Sequence, residues 1–200
     1  MEKITARLII IGSAAGFVAF APVASFAQAS NSTPLSAPEN PLKPEKNPPG
    51  DIPDNQAFIE YQSPLGFAIK VPEGWARRQI SDNVRFSDKY NTIELAISQH
   101  AKPLTVDSVK QNEVGELEKT GKAVRVTSVK AKQLPSGSAI VVSYGSNSEP
   151  NPVTNMAIRL ENERSFFLKD GKLVTLTLSA PFGADNTDQW QLMAKSFRWR

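Results

Sequence analysis

The stretch SFFLKDGKLVTLTL, residues 165–178, indicates the fold class more clearly than any other part of the chain. Ser165–Leu168 is a short apolar run, and Leu173–Leu178 combines leucine and valine with alternating threonine. Alternation with a period of two is typical of a strand with one solvated face. The dipeptide Asp170-Gly171 between the two runs is a preferred turn for a β-hairpin. The stretch therefore predicts two adjacent antiparallel strands.

Similar strand-like runs occupy most of the chain after residue 55. A second hairpin is predicted from Val124–Leu134 and Ala139–Tyr144, which the turn sequence at 135–138 joins. Within the first of these runs, Val129 is out of phase with Val124 and Val126. The remaining predicted strands are Phe58–Tyr61, Phe67–Val71, Val84–Phe86, Thr92–Gln99 and Met156–Leu160.

Two helices are predicted, one in the middle of this region and one near its C-terminus. The first begins after Thr105, a residue type that caps helix N-termini, and Gly121 is placed to end it. Gly115 within it costs about 1 kcal/mol of helix stability relative to alanine. The second helix begins near Thr187. The apolar stripes of the two helices are Val106, Val109, Val114 and Leu117, and Trp190, Met193, Ala194 and Phe197. Many strands with few helices predict an α+β domain with a mostly antiparallel sheet.

The N-terminus has the three parts of a secretory signal peptide. Lys3 and Arg7 precede an uncharged apolar run, and small residues follow it up to Ala27. We expect cleavage between Ala27 and Gln28, with cleavage before Ser30 as the alternative. The apolar run is shorter than the roughly 20 residues that a membrane-spanning helix needs. No cysteine is present to carry a lipid, so the sequence predicts a periplasmic or secreted protein that is not a lipoprotein.

A proline-rich segment, residues 28–55, separates the signal peptide from the predicted domain at 56–200. It contains seven of the fifteen prolines and few large apolar residues. Such a composition cannot bury enough apolar surface to offset the entropy of ordering, so we predict a disordered linker. A spacer is the favoured interpretation, and a docking motif for a proline-recognising module is the alternative.

The residue types that are missing exclude several chemistries. Without cysteine there are no disulfides, thiolate metal ligands or cysteine nucleophiles, and the single histidine, His100, cannot form a multi-histidine metal cluster. His100 is also the only base that a serine hydrolase could use, and no Gly-x-Ser-x-Gly sequence accompanies it. The net charge of +3, from 23 basic and 20 acidic residues, does not indicate nucleic-acid binding. We therefore expect no catalytic residue, metal or cofactor.

One group of residues is a candidate partner-facing surface. Arg77 and Arg78, near Arg85, could form a basic and aromatic patch together with the C-terminal Arg198-Trp199-Arg200. Such a patch would suit an acidic protein partner. A third tryptophan, Trp75, follows a strand-ending Pro-Glu-Gly and is interpreted as a core residue.

Several short motifs resemble the PsbP-like superfamily. They are Gly66-Phe67, the run at 71–75 (VPEGW), the run at 84–88 (VRFSD), the turn at 169–173 (KDGKL), and the tryptophan-containing helix that ends in Ser196-Phe197. The superfamily includes an extrinsic photosystem II subunit, a Ran-binding import factor and exported bacterial proteins. The resemblance covers nearly all of Phe58–Phe197. It implies an α/β/α sandwich around a central antiparallel sheet, and a non-enzymatic domain that docks on larger complexes.

The leading functional hypothesis is therefore an exported binding or assembly module that docks on a periplasmic or envelope protein complex. A periplasmic carrier that binds a small ligand between sheet and helix is the first alternative. A hydrolase that uses His100 is the second.

Overall fold

The structure is a computed structural model that describes residues 50–200. The predicted signal peptide, its cleavage site at Ala27 and Gln28, and residues 28–49 of the predicted linker lie outside the described residues.

Within residues 50–200, ten antiparallel strands form two sheets. The larger sheet has the strand order β3-β4-β5-β9-β8-β7-β6, and the smaller has the order β1-β2-β10. The strands are β1 Phe58–Ser63, β2 Phe67–Pro72, β3 Ala76–Ile80, β4 Asn83–Asp88, β5 Asn91–Gln99, β6 Arg125–Leu134, β7 Gly137–Asn147, β8 Arg159–Lys169, β9 Lys172–Pro181 and β10 Arg198–Trp199. The predicted α+β class and mostly antiparallel pairing are confirmed.

The hairpin at residues 165–178 is the centre of the larger sheet. β8 and β9 pair from Lys169 with Lys172 to Leu160 with Pro181, and Asp170 and Gly171 both take the positive φ angles that their turn requires. Where the sequence predicts two strands at 156–160 and 165–168, the structure has the single strand β8. The polar residues between them continue the strand because β7 and β9 pair with it on both sides.

Two strands have no counterpart in the sequence prediction. All five residues of β3 are exposed, so this edge strand shows no apolar alternation. β10 has only two residues, and it forms because Arg198 and Trp199 pair with β2.

The first helical segment, α1, covers one face of the larger sheet. It runs through Val106–Val109, a π-helical turn at Lys110–Val114, and Gly115–Thr120. Thr105 accepts a hydrogen bond from the Ser108 amide at 3.0 Å, and Ser108 accepts one from the Thr105 amide, which makes a capping box. The buried residues of α1 are in one apolar cluster with Ile140, Val142, Tyr144 and Phe166 of the sheet.

The opposite face of the larger sheet packs against the smaller sheet and the second helix, α2 (Thr187–Ser196). Phe197, which follows α2, is the centre of this core: its ring stacks on Phe167 at 4.0 Å between centroids and on Phe67 at 5.9 Å. The predicted apolar stripe of α2 is buried at Met193 and Ala194, whereas Trp190 is only half-buried.

Residues 50–54, which we call the arm, pack against α2. Ile52 is 4% exposed and belongs to the main core. Asn186 accepts a hydrogen bond from the Ile52 amide at 2.7 Å and donates one to the Gly50 carbonyl at 2.9 Å. The Gln189 side chain donates to the Ile52 carbonyl at 3.2 Å. The sequence analysis assigns these residues to the linker, and the structure holds them on the folded domain.

Candidate functional site

A cleft of about 500 Å³ lies between α2 and strands β6, β7 and β8. This volume is within the range of about 300 to 1,000 Å³ that is usual for ligand sites. The cleft face of the sheet is the one that carries α2 and the smaller sheet. Because regular elements form both walls and the floor, the side chains of the cleft are held in fixed positions relative to one another. We refer to it as the α2 cleft.

One wall of the α2 cleft is basic and comes from β6. Lys130 and Lys132 pair with Val141 and Ala139 on β7, so their side chains point to the same face of the sheet. Arg125, five residues before Lys130, lines the cleft as well. In a regular strand, two residues five positions apart point to opposite faces.

A β-bulge brings the three basic residues together. The pairing of β6 with β7 shifts between Val126 and Ser128, so Thr127 is an extra residue in β6. A shift of one residue exchanges the two faces of a strand, and it places Arg125 on the face of Lys130 and Lys132. The bulge therefore creates a single basic wall.

The floor of the α2 cleft is acidic and comes from β8. Glu161 and Glu163 are two residues apart on this strand, so both project from the cleft face. Partial burial raises the pKa of Glu161, and the nearby Asp185 carboxylate raises it further, while a hydrogen bond from the Gly183 amide acts in the opposite direction. The cleft therefore offers charges of both signs.

The wall opposite β6 is α2, which contributes Thr187, the half-buried Trp190 and Gln191. Phe182, on the turn before α2, is 72% exposed and also lines the cleft. An exposed aromatic ring next to unpaired charges is typical of recognition surfaces. The arm fixes this end of α2, because Asn186 and Gln189 bind its backbone.

Gly145, on β7 opposite Glu161 of the cleft floor, makes room for the Arg159 side chain. A Cβ atom at Gly145 would lie 2.5 Å from a guanidinium nitrogen of Arg159. That guanidinium donates to the Ala123 carbonyl at 2.8 Å and to the Asn147 side chain at 3.2 Å. Arg159 is therefore engaged in holding the turn before β6, unlike the other basic residues of the cleft.

A second depression, of about 590 Å³, lies on the other side of the sheet. Much of its lining comes from the loop at 148–158 and from the turn that contains Lys89 and Tyr90. No regular element fixes this loop against the sheet, so the α2 cleft is the better defined site.

The structure separates the two neighbouring arginines of the sequence-predicted basic patch, and only Arg77 lies next to the smaller sheet. Arg77 and Arg78 are neighbours on β3 of the larger sheet and point to opposite faces. The Arg77 guanidinium lies 5.9 Å from the centroid of the Tyr61 ring, and Arg78 is opposite Arg85 on β4. The two guanidiniums are therefore not parts of one surface.

The other members of that patch lie on the smaller sheet. Arg198 forms an ion pair with Glu60, and Arg200 donates to the Gln62 side chain. Trp199 is half-buried and packs edge-on against Phe197. Hydrogen bonds from Gln62 and Arg198 lower the pKa of Glu60. The partner-facing role of these residues remains a prediction.

His100 follows β5, and its amide donates to the Gly171 carbonyl at 2.8 Å. Its Nε2 atom is shielded from solvent and has no hydrogen-bond partner among residues 50–200. In this part of the chain no serine is therefore bonded to Nε2 as a nucleophile would be to its base. Nor do three or more histidine, aspartate or glutamate residues cluster there as ligands for a metal ion. None of the described helices is long and apolar enough to cross a membrane.

No protein-family model matches the sequence, and no curated protein matches it. Among solved structures, the chain is similar to the cyanobacterial PsbP (CyanoP) from Synechocystis, with 17% identity and a TM-score of 0.54 over 76% of this chain and 98% of that chain. It is also similar to the Ran-binding protein Mog1p from Saccharomyces cerevisiae (11% identity, TM-score 0.48, 72% of this chain and 96% of that chain). A further similar structure is LpqN, involved in cell envelope biogenesis in Mycobacterium tuberculosis (15% identity, TM-score 0.46, 72% and 90%). The likeness to CyanoP confirms the PsbP-like fold that the sequence resemblance predicts.

Proposed function

We propose that this chain is an exported, non-enzymatic binding module, and that it docks through the α2 cleft on a protein complex of the periplasm or envelope. In this proposal the domain is an α/β/α sandwich in which the smaller sheet shares a layer with α2. Residues 1–27 are the export signal. Residues 28–49 are the tether that gives the domain its reach.

The observation that carries the proposal is the composition of the α2 cleft. In the described part of the chain, Arg125, Lys130 and Lys132 have no carboxylate within ion-pair distance, and Glu161 and Glu163 have no basic group within that distance. Unpaired charges around an aromatic ring favour recognition of a protein segment, because such charges gain partners on binding and set its orientation. A partner that covers Phe182 would also remove its exposed ring from water.

Site-specific crosslinking in the cells that express the protein tests this proposal. A photoreactive amino acid is placed at Gln191, which faces the α2 cleft, and in a second strain at Lys110, an exposed position on α1 across the sheet. We expect the Gln191 strain to yield an adduct with a defined envelope protein, and the Lys110 strain to lack it. Identical adducts at both positions, or none at Gln191, would contradict docking through the cleft.

The tether is tested in the same experiment. Residues 28–47 are deleted, so that the arm is left in place and Ile52 stays in the core. We expect the adduct at Gln191 to decrease strongly if the tether supplies reach. Deletion up to residue 55 would not be informative, because it also removes the arm and destabilises the domain.

The volume of the α2 cleft also allows the alternative of a small-ligand carrier. Most of the residues that line this cleft are charged or polar, but their aliphatic and aromatic parts make most of its lining surface apolar, as is usual for small-ligand sites. The composition of the lining therefore fits both functions. A screen of metabolites by thermal melting distinguishes the two functions. A ligand at 100 times its dissociation constant stabilises the fold by about 2.7 kcal/mol, so a carrier would show a clear rise in melting temperature.

A further inference from the structure

The outer side of β6 is an open sheet edge. β6 is the last strand of the larger sheet, is ten residues long, and pairs only with β7 among the described residues. Every second residue of such a strand points its amide and carbonyl outward, where they can bind another strand. Edge strands of this length are a known means of binding extended peptides.

The charged residues of β6 itself all have one sign. From Lys119 to Ser148 the chain contains five basic residues and no acidic one. Lys119 and Lys122 are engaged by Glu116 and Glu149, whereas the three basic residues of β6 have no such partner in the described region. Lys130 and Lys132 point to the cleft face. Val129 and Ala131, which alternate with them along the strand, point to the other face.

We propose that β6 is a docking edge for an extended segment of a protein partner, with acidic residues at every second position. This inference rests on the proposed function as a protein-binding module and names the chemistry of its partner. In an added antiparallel strand, side chains directly opposite Lys130 and Lys132 lie about 4.5 to 5.5 Å from them and are two residues apart. The partner residues that alternate with these acidic residues lie opposite Val129 and Ala131. We expect them to be apolar, because they pack against apolar side chains.

The charge pattern disfavours other strands at this edge. A second copy paired through β6 would place lysines near lysines. A second copy paired through β3 would bring Arg77 and Arg78 to the same edge. Like charges opposite one another destabilise a sheet, so the edge selects against self-association and in favour of an acidic strand.

The carboxylates of the cleft floor do not oppose this partner. Glu161 and Glu163 are on β8, which β7 separates from β6. With strands about 4.8 Å apart, an added strand lies roughly 14 Å from β8. That separation exceeds the Debye length of about 8 Å at physiological ionic strength, so the two carboxylates are largely screened from the peptide.

Peptide binding to the full mature chain, residues 28–200, tests the inference. The probe is a seven-residue peptide in which glutamate and valine alternate. One control peptide has the same composition with all glutamates first, and a second has lysine in place of glutamate. Fluorescence anisotropy is measured for the wild type and for the double variant Lys130→Glu with Lys132→Glu.

We expect the alternating acidic peptide to bind the wild type at least tenfold more tightly than either control, and the double variant to prefer the lysine peptide. Methylation of alternate peptide nitrogens is expected to abolish binding, because it removes the backbone donors of an added strand. Equal binding of the alternating and block peptides would overturn the inference. So would binding of the wild type to phosphatidylserine vesicles without binding to the peptide, since that result assigns the basic edge to a membrane.

The two proposals fail separately. If the peptide does not bind but the Gln191 adduct forms, the α2 cleft docks a partner and the strand-addition inference is wrong. If the peptide binds but the Gln191 adduct is absent, the edge is a binding site and docking through the cleft is wrong.

Discussion

Replacing Ile52 by alanine tests whether the arm belongs to the folded domain. Ile52 is 4% exposed, and its side chain is part of the main core. The change removes three carbon atoms, which accounts for about 2.4 kcal/mol of transfer free energy at about 0.8 kcal/mol per methylene. The cavity left behind adds to this cost, and buried isoleucine-to-alanine changes cost about 2 to 5 kcal/mol in total.

The assay is urea unfolding of residues 28–200 at neutral pH. For a domain of this size, each kcal/mol lowers the melting temperature by about 2 to 4 °C, so a thermal scan is expected to show a decrease of roughly 4 to 20 °C. Ile59→Ala is the matched control, because Ile59 is 49% exposed on β1. We expect it to cost less than about 1 kcal/mol.

Neutral surface substitutions change the free energy of unfolding by up to roughly 0.5 kcal/mol. If Ile52→Ala changes it by no more than that, the reasoning is refuted. An equal loss for Ile59→Ala would also refute it, since burial would then not be the cause. In the first case the arm would be part of the linker, and the deletion that tests the tether could extend to residue 55.

Three further predictions concern α1, the cleft floor and the core. Gly115→Ala should raise the free energy of unfolding by about 1 kcal/mol, because a Cβ atom at this helical position meets open space. Gly121→Ala should lower the free energy of unfolding, because a Cβ atom there would lie 2.7 Å from the Leu117 carbonyl oxygen. Chemical denaturation of both variants tests this pair. Burial raises the folded-state pKa of Glu161, so its contribution to stability is present at acid pH and is lost as the pH rises through that pKa. Glu161→Gln should therefore gain stability relative to wild type between pH 4 and pH 7, and parallel pH profiles of the two proteins would contradict this. Phe197→Ala should cost about 3 to 5 kcal/mol in urea unfolding, because it removes the ring stacked on Phe167.

The sequence predicted the elements whose residues carry a local signal. The Asp170-Gly171 turn and the Thr105 cap are both where the sequence places them, because each depends on contacts within a few residues. β3 lacked such a signal. It is an exposed edge strand, and its pairing with β4 stabilises it without any apolar alternation of its own.

The α2 cleft was only partly visible in the sequence. A pocket between sheet and helix was one of the alternatives, but Glu161 and Glu163 look like an ordinary solvated pair in isolation. The break in the apolar alternation at Val129 was the one sequence signal that could have located the basic wall. It indicates an extra residue in the strand, and the bulge at Thr127 is that residue.

By itself, the sequence determined the strand-rich α+β class, the central hairpin, both helices and the absence of cysteine chemistry. These properties depend on composition and on short-range periodicity. The tertiary structure alone decided that Ile52 is a core residue, since the groups that bind its backbone are about 134 to 137 positions away. It also decided which charges share a face and which edge of the sheet stays open, because both depend on the register between strands that are distant in the chain.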